Sequence, residues 1–554
     1  MQTRFANVTQ SATKWLSINW CKAHRVVKNL RQRIFKATRC EDWRRVRNLQ
    51  RLLLKSYSNV LLAVRRATQL NAGKNTPGID KLLVKTGPAK ASLVDALKQQ
   101  IPWKPLPARR VYILKRNGKR RPLGIPSIID RCLQAMVKAA LEPCWEAQFE
   151  PSSYGFRPGR SAHDAIACIY VTANTTNQKT WVVDADIAGC FDSINHTFLL
   201  NQLGHFPARG LIAQWLKAGY LEDGVFHSTA AGTPQGGIIS PLLANIALHG
   251  IEAALGIHRY AQGTVKKGIR RRVIRYADDF VVFCQSPQEA EQTQIDLQRF
   301  LRLRGLRLSE EKTRIVHLSE GFDFLGFNIR HYCSRTTRLG WKLLIKPAKK
   351  SVSAFRAKLK QTFKRLHGSN ARCLIKVLNP IIRGWANYYR GVVSSETFQK
   401  LGSDIFWKLR RWISKTHPTK SFSWRDRRYW TEHPAYPGSQ WSFVDKDTGM
   451  VLYRIGCTRI QRHVLIRGDA SPDNPDCKDY FEQRNRQSKH VEDYPKAAQR
   501  IIRKQQAKCL HCGQSLFNGE AIHIHHKVPR CQGGTNYSSN LMAVHFICHQ
   551  QLHR

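Results

Sequence analysis

The sequence predicts a multidomain α+β protein, and three observations support this prediction. The chain has 554 residues, which is several times the length of a typical single domain. Hydrophobic residues make up 42% of it and aromatic residues 10%, enough to build sizeable cores and too many for a largely disordered protein. Short apolar runs with Gly/Pro turns alternate with helical patterns over residues 71–335, whereas residues 341–430 are predicted to be mostly helical.

The charge balance indicates an anionic partner. The chain carries 91 Lys and Arg residues against 38 Asp and Glu residues, so its net charge is +53. So many like charges on folded domains repel one another unless an anionic partner screens them. This favours a protein that binds nucleic acid or, less often, an acidic membrane surface.

The sequence contains no pattern typical of a membrane or secreted protein. The longest stretch without Asp, Glu, Lys or Arg, residues 224–251, includes His227, Pro234 and Gln235 and is too polar for a membrane-spanning helix. The first thirty residues lack the pattern of a signal peptide. Eleven of the 15 cysteines are scattered singly, as in a reducing compartment. We therefore expect a protein of the cytoplasm, or of an organellar stroma or matrix, that is not secreted and has no membrane partner.

Two segments stand out by their charge. Residues 1–70 are strongly basic, and Arg44 and Arg45 belong to a stretch in which leucines recur at helical spacing. This stretch is either an ordinary solvated helix face or a surface that contacts RNA. Acidic residues and prolines return in 469–495, which predicts a hinge or linker before a small terminal module.

Carboxylates follow two apolar runs. The run RVIRYADDFVVFC (272–284) is typical of a tight β-hairpin with Asp278 and Asp279 at its tip. The run WVVDAD places Asp184 and Asp186 on one face of a strand. Adjacent carboxylates repel each other when ionised, so a solvated turn or a divalent-cation site would explain them. Three such carboxylates could hold two Mg²⁺ ions about 3.5–4 Å apart. Two ions in this arrangement activate a 3′-hydroxyl and stabilise a leaving pyrophosphate.

These runs and several others resemble, in the same order, the group II intron-encoded reverse transcriptases. The blocks that carry the resemblance are VYILKRNGKRRPLGIPSIIDR (111–131), SYGFRPGRSAHDAI (153–166), AGTPQGGIISPLLANIAL (231–248), YADD (276–279), GLRLSEEKTRI (305–315), GFDFLGF (321–327) and NPIIRGWANYYR (379–390). The resemblance extends from about residue 75 to the last residue. It implies a right-hand reverse transcriptase with a basic extension of the fingers (1–70), fingers and palm (71–335), a helical thumb or maturase domain (336–430), a DNA-binding region and linker (431–500) and a terminal module (501–554).

The resemblance assigns the metal-binding carboxylates and a sugar gate. Asp186, Asp278 and Asp279 match the ligands of the two Mg²⁺ ions, whereas Asp184 matches no ligand position. Phe191 matches the aromatic residue whose ring clashes with a ribose 2′-hydroxyl and so selects dNTPs. The alternative is that Phe191 is only a core residue.

Three further residues are expected at the incoming dNTP. Gln235 lies in an uncharged Gly-rich turn that the nucleotide can approach. Lys115 and Arg121 lie on a fingers hairpin that is predicted to turn at Asn117–Gly118, and they suit contacts with the triphosphate. Either residue could instead be an ordinary solvated cation.

The helical segment is unusually basic. Residues 341–430 contain 22 Lys and Arg residues against three acidic ones, and basic side chains can follow a phosphate backbone while aromatic rings stack on unpaired bases. The resemblance implies that group II intron RNA is the partner, in a ribonucleoprotein. The aromatic residues Trp385, Tyr388 and Tyr389 also have the spacing of a helix core, which makes the basic residues the better candidates. The RNA-binding candidates are Arg44, Arg45, Lys349, Lys350, Arg383 and Arg390.

The pattern of His and Asn residues near the C-terminus resembles an HNH endonuclease, a ββα-metal fold. The resemblance implies that His526 is the general base and that Asn540 orients its imidazole. It also implies that His525, His549 and His553 hold Mg²⁺ or another divalent ion against the scissile phosphate of double-stranded DNA.

A separate cluster of cysteines predicts a structural zinc ion. Cys509-x2-Cys512 alone could be a zinc or a redox motif. A module of about fifty residues with little core plausibly needs zinc, and Cys548 is expected as the third ligand. The fourth is His545 or Cys531. A zinc knuckle without nuclease activity is the alternative for this module.

The resemblance implies a multifunctional intron protein that is RNA-directed DNA polymerase, splicing maturase and endonuclease in one chain. The endonuclease would nick target DNA and so provide the primer for reverse transcription, in a bacterial nucleoid or an organelle. A non-enzymatic RNA-binding splicing cofactor is the alternative from a different class, but a scaffold has no use for crowded carboxylates.

Overall fold

A group of helices precedes the first strand in the computed structural model. The structure describes residues 13–99, 103–114, 118, 120–174, 179–260, 263–337, 340–486, 491, 494–518 and 520–553. The N-terminal helices are α1 (Trp20–Arg39), α2 (Trp43–Lys55), α3 (Tyr57–Arg65) and α4 (Gly87–Lys98). Asn19 and Asp42 cap α1 and α2, because their side chains accept hydrogen bonds from the backbone N–H groups of Lys22 and Arg45.

The central part of the chain alternates strands and helices, which confirms the α+β prediction. The elements are β1 (Ala108–Leu114), β2 (Arg120–Ile125), α5 (Ile128–Glu146), α6 (Ala162–Ala173), β3 (Trp181–Asp186), α7 (Cys190–Ser193), α8 (His196–Leu203), α9 (Arg209–Lys217), β4 (Tyr220–Glu222), β5 (Val225–His227), α10 (Ser240–Ala247), α11 (Ile251–Ala254), β6 (Arg272–Tyr276), β7 (Asp279–Cys284), α12 (Pro287–Arg302), β8 (Arg314–His317), β9 (Phe322–Phe324), β10 (Phe327–Cys333) and β11 (Trp341–Pro347). The predicted fingers hairpin is present as β1 and β2, although Asn117 lies outside the described residues.

These strands form three sheets. One has the order β2-β1-β4-β5, a second the order β6-β7-β3-β8 and a third the order β11-β10-β9. All pairs in the second sheet, called the central sheet below, are antiparallel. Val183 and Val282 belong to one hydrophobic core and Val182 and Val281 to another, because successive side chains of a strand point to opposite faces. The central sheet therefore separates two cores.

Helices dominate the next segment, as predicted. They are α13 (Lys349–Arg365), α14 (Ala371–Tyr389), α15 (Ser395–Thr416) and α16 (Phe422–Tyr429). Their apolar sides share a core with one face of the central sheet and with β9, β10 and β11. This core packs the helical segment against one face of the sheet that carries the predicted carboxylates.

A small sheet and one helix follow. The elements are β12 (Trp430–Thr431), β13 (Ser442–Asp445), β14 (Met450–Val451) and α17 (Lys478–Arg486). The predicted hinge is wrong for residues 469–486, which pack against the body of the protein. The Arg31 side chain donates hydrogen bonds to both carboxylate oxygens of Asp473, at 2.6 and 2.8 Å. The acidic residues are thus partners for basic side chains rather than signs of a free linker.

The terminal module contains α18 (Lys496–Lys504), β15 (Ile522–His526), β16 (Leu541–His545) and α19 (Phe546–Leu552). It shares a core with the N-terminal helices, including Trp20 and Val64. The side chain of Gln551 donates hydrogen bonds to the carbonyl oxygens of Leu16 and Ile18, at 2.9 and 3.0 Å. The two ends of the described chain therefore pack together. Among the described helices, none combines the length and apolar content that crossing a bilayer requires.

Candidate active sites

The β6–β7 hairpin carries two adjacent carboxylates at its tip. Strand β6 ends at Tyr276 and β7 begins at Asp279, so Ala277 and Asp278 form the turn. Ala277 has a φ of +59°, in the left-handed region that tight hairpin turns use. Asp186, the last residue of β3, lies directly opposite Asp279 in the antiparallel ladder. Three carboxylates from two neighbouring strands thus meet at one edge of the central sheet.

The electrostatics of this cluster favour a bound cation. Asp279 is accessible to solvent, yet loss of hydration in the cleft, together with the neighbouring Asp278 and Asp186, raises its pKa to about 7. Burial likewise raises the pKa of Asp278. A divalent cation would offset the repulsion between these groups, and carboxylate oxygens are the ligands that Mg²⁺ prefers. The residues therefore fit the predicted Mg²⁺ ions.

Lys312 is a residue of this site to which the sequence analysis assigned no role. Its ammonium forms an ion pair with Asp186 although its side chain is 60% exposed, and the hydrogen bond to Asp186 raises the pKa of Lys312. The signal that could have revealed it is its position in the block GLRLSEEKTRI. A metal ion at Asp186 would compete with this ammonium and leave it free for another anion.

Arg275 supports the turn from the interior of the protein. Sequence reasoning missed this residue as well. It is fully buried, with 0% of its surface exposed. Its Nη1 donates hydrogen bonds to the carbonyl oxygen of Ala277 at 3.2 Å and to Oδ1 of Asn245 at 3.0 Å. Asn245 donates from Nδ2 to the carbonyl oxygen of Gly155 at 2.8 Å, and a Cβ at Gly155 would lie only 2.3 Å from the nitrogen of Ala277. This network fixes the backbone that carries Asp278.

Phe191 lies on α7, the short helix that follows β3. It is 6% exposed, and its ring contacts the edge of Phe156 with centroids 6.4 Å apart. Burial and the nearby charge of Asp278 raise the pKa of the adjacent Cys190 to about 12, so this helix lies close to the carboxylates. Phe191 is thus a core residue beside the site, and its role as a sugar gate stays a prediction.

Two of the three residues predicted at the incoming nucleotide contact each other. Arg121 Nε donates a hydrogen bond to Oε1 of Gln235 at 2.9 Å. The N–H of Gly124 donates to the carbonyl oxygen of Gln235 at 2.6 Å, which joins the turn to the fingers hairpin. The positive charge of Arg121 opposes the rise in the pKa of Asp278, so it acts on the carboxylate cluster. Lys115 lies outside the described residues.

The RNA-binding candidates differ in accessibility. Arg44, Arg45, Lys349 and Lys350 are exposed. Arg390 is only 8% exposed, so its burial does not favour the predicted RNA contact.

The guanidinium of Arg383 lies 5.2 Å from the ring centroid of Tyr453. Of the aromatic residues, Trp385 stacks on Phe355 with centroids 4.8 Å apart, and the hydroxyls of Tyr388 and Tyr389 donate to backbone carbonyl oxygens. These three rings are packing residues.

The predicted zinc ligands come together in the terminal module. One potential ligand atom from each of Cys509, Cys512, His545 and Cys548 lies within 4.8 Å of the others, and all four residues are buried. The Nε2 of His545 contacts the carbonyl oxygen of Ser515 at 3.0 Å; the carbonyl can only accept, so the Nδ1 lone pair faces the cysteines. Hydrogen bonds from Cys512 and Cys548 hold the pKa of Cys509 well below its usual range. This donor set fits Zn²⁺.

Cys531 is not part of this cluster. It is exposed, and it lies on the loop between β15 and β16. Of the two candidates for the fourth ligand, the geometry favours His545.

A second cluster of side chains joins β15 to the end of α19. One ring nitrogen from each of His525, His549 and His553 lies within 4.8 Å of the others. His525 is 7% exposed, and among the described residues its Nδ1 has no hydrogen-bond partner. Burial and the neighbouring histidines lower the pKa values of His525 and His549, which keeps them neutral and able to bind a metal. The three residues fit a divalent ion.

The surroundings of His526 correct one predicted role. Among the described residues, no hydrogen bond joins Asn540 to the imidazole of His526; Asn540 holds the β15–β16 loop instead, donating to the carbonyl oxygens of Val528 and Thr535 and accepting from the N–H of Val528. The side-chain oxygen of Asn536 lies 3.0 Å from Nε2 of His526. Asn536 was missed because the sequence places it ten residues away, in a loop.

Four family models match the chain. They are reverse transcriptase (RNA-dependent DNA polymerase) over residues 113–329, the N-terminal domain of reverse transcriptase over 15–97, the group II intron maturase-specific domain over 352–430 and HNH endonuclease over 509–554. These matches follow the order of the described elements and include both candidate sites.

Curated relatives agree with the family models. Protein YkfC of Escherichia coli (strain K12) is 35% identical over 326 residues, which are 52% of this chain and 84% of YkfC. The group II intron-encoded protein LtrA of Lactococcus lactis subsp. cremoris is 34% identical over 301 residues, which are 43% of this chain and 49% of LtrA. The match thus spans about half of LtrA. Telomerase from Candida albicans aligns at 14% identity with a TM-score of 0.33, over 59% of this chain and 62% of that chain, which is too low to support an argument.

Proposed function

Since this chain belongs to the family of group II intron-encoded reverse transcriptases, we propose that it combines three activities in intron mobility. It copies RNA into DNA at the central sheet, assists the splicing of its intron RNA through the basic helices, and nicks double-stranded target DNA with its terminal module. The observation that carries the proposal is the pairing of Asp186 with Asp279, next to Asp278. The motifs that contain these residues follow one another in the order that the family has.

In the polymerase site, the chain's own residues position the substrates. Asp186, Asp278 and Asp279 would hold two Mg²⁺ ions, which supply the Lewis acidity that activates the primer 3′-hydroxyl and stabilises the leaving pyrophosphate. Arg121, hydrogen-bonded to Gln235, would bind the triphosphate. Lys115 would bind it from the same hairpin, and Phe191 would exclude a ribose 2′-hydroxyl.

In the endonuclease site, one imidazole nitrogen of His526 has no hydrogen-bond partner among the described residues and can act as a base. The amide oxygen of Asn536 also accepts a hydrogen bond from Arg530, at 2.6 Å, and an amide oxygen can only accept. Nε2 of His526 therefore carries the proton, and Nδ1 would take a proton from the attacking water. His525, His549 and His553 would hold the divalent ion beside the scissile phosphate, so that the cut leaves a 3′-hydroxyl.

A target-primed synthesis assay tests the coupling of the two sites. Full-length protein bound to intron RNA is supplied either with intact duplex target or with a pre-annealed primer. His526→Ala should abolish nicking and synthesis on the intact duplex, yet extend the supplied primer at nearly the normal rate. Asp278→Asn should do the reverse, nicking the duplex without extending either primer. Loss of both reactions in both variants would contradict two separate sites.

The splicing role is favoured by a different observation, the match of residues 352–430 to the maturase-specific domain. The triple variant with Asn at positions 186, 278 and 279 should retain intron splicing and lose polymerisation. Failure of the wild-type protein to bind structured intron RNA at physiological salt would contradict this role. A protein that binds RNA and promotes splicing but never incorporates dNTPs would be the non-enzymatic cofactor.

A further inference from the structure

A cavity of about 540 Å³ lies between α15 and the small sheet formed by β12, β13 and β14. This volume falls within the roughly 300–1,000 Å³ of small-molecule sites. Three aromatic residues, Phe406, Trp430 and Trp441, contribute to its wall, with ring centroids 5.0 to 6.0 Å apart. The cavity shares no lining residue with either candidate active site, and the proposed activities do not use it.

The cavity combines exposed aromatic surface with an unused hydrogen-bond donor. Trp441 is 50% exposed, so part of its ring is accessible to a ligand. Trp430 is 8% exposed, and among the described residues its indole N–H has no hydrogen-bond partner. A buried donor of this kind costs free energy unless a ligand or water satisfies it.

Arg454 lines the cavity, and a second arginine packs against two of the aromatic rings in its wall. The guanidinium of Arg410 lies 5.5 Å from the ring centroid of Phe406 and 5.4 Å from that of Trp441. Hydrogen bonds to both carboxylate oxygens of Asp426, at 2.7 and 3.2 Å, fix its position. Arg411 and Arg427 are exposed on α15 and α16. A flat aromatic ligand attached to a negatively charged chain complements this surface.

We propose that this cavity binds an unpaired nucleobase of a single-stranded nucleic acid. The base would stack on Trp441 beside Phe406 and Trp430, and its phosphates would follow the neighbouring cations. The inference rests on the proposed function, because it assumes that the protein binds nucleic acid. It adds a binding site to that function. The source of the base is RNA or DNA, and the experiment distinguishes the two.

Cys457 provides a local reporter, because it lines the cavity and is exposed. In the full-length protein, its alkylation by N-ethylmaleimide is followed by mass spectrometry, with the exposed Cys333 as internal reference. The probes are (dT)12, (rU)12 and a 12-mer of abasic residues. All three carry the same number of phosphates, so at one salt concentration their phosphate contacts are matched.

We expect (dT)12 or (rU)12, but not the abasic 12-mer, to slow alkylation of Cys457 relative to Cys333. Protection by (dT)12 identifies DNA as the source of the base, and protection by (rU)12 identifies RNA. Trp441→Ala should remove the protection and weaken binding by about five- to 150-fold, the range for one stacked base. Trp407→Ala is the matched control, since Trp407 is 61% exposed on α15 and does not line the cavity.

Equal protection by the abasic 12-mer, or equal effects of Trp441→Ala and Trp407→Ala, would overturn the proposal. If all three 12-mers bind but none protects Cys457, the cavity is not a nucleobase site, and the proposed nucleic-acid function is not affected. If none of them binds at physiological salt, the proposed nucleic-acid function fails together with the cavity.

Discussion

Arg65 of α3 and Glu520 of the terminal module form an ion pair whose side chains are only 2% and 7% exposed. The guanidinium of Arg65 also lies 4.6 Å from the ring centroid of Trp20. These residues are separated by 455 positions in the chain, so the contact joins its two ends. The terminal module is therefore part of a larger folded unit rather than an independent tail.

Breaking this pair should destabilise both ends. Glu520→Gln leaves the Arg65 charge buried without a counter-ion, which typically costs ~3–5 kcal/mol. We expect faster amide hydrogen exchange in α1, α3 and β15 together. The matched control is Glu482→Gln, which breaks the more exposed pair with Lys508 (side chains 26% and 41% exposed) and should change exchange little. Faster exchange confined to β15 would mean that the module is independent.

Removal of zinc should also destabilise both ends of the chain. Cys509, Cys512 and Cys548 belong to the core that contains Trp15 and Trp20, so loss of the metal should loosen the N-terminal helices as well as the module. Metal analysis should find one zinc ion per chain in the wild-type protein and in Cys531→Ser, and none in Cys548→Ser. A zinc ion lost in Cys531→Ser but kept when His545 is replaced by Ala would reverse the assignment of the fourth ligand.

The network behind the hairpin should control turnover rather than substrate affinity. Arg275→Met removes the hydrogen bond to Ala277 and leaves the carbonyl oxygen without that donor, so the turn that carries Asp278 loses its support. We expect kcat for dNTP incorporation to fall by about 10- to 100-fold, with KM changed far less, as for a group that positions catalytic residues. Arg275→Lys should recover part of the loss. If Arg275→Met also lowered the thermal stability of the protein and weakened its RNA binding, the result would instead indicate a general folding defect.

The two asparagines of the terminal loop should have separable effects. Asn536→Ala removes the contact with Nε2 of His526 and should slow DNA nicking by about tenfold or more, with little change in stability. Asn540→Ala removes three hydrogen bonds to the loop backbone and should lower the thermal stability of the module as well as its activity. Nicking at the normal rate by Asn536→Ala would show that another group orients the base.

Sequence reasoning worked where the chemistry is local. The hairpin with Asp278 and Asp279 follows from two apolar runs around a turn, and the zinc cluster follows from Cys and His at short spacing. Asp186 could be added because strand alternation places it on one face together with Asp184, and the family resemblance selects Asp186 of the two. The family, the fold class and the enzyme class were all predicted correctly.

The remaining features depend on tertiary contacts that spacing does not encode. Arg275 and Lys312 acquire their roles only when distant segments meet the central sheet, and Asn536 reaches His526 through a loop. The acidic segment after residue 469 was misread as a linker because Asp473 pairs with Arg31, more than four hundred positions earlier. The predicted domain boundaries, including the one near residue 500, stay predictions.

The most direct test of the central claim is RNA-templated extension of a pre-annealed DNA primer with Mg²⁺. Asp279→Asn should reduce dNTP incorporation by several orders of magnitude, since the charge opposite Asp186 is lost. Asp184→Asn is the matched control: Asp184 lies on the same strand and pairs with Arg314 at 3.2 Å, so this variant should extend the primer at close to the wild-type rate. Wild-type incorporation by Asp279→Asn would contradict the assignment of the polymerase site to these carboxylates.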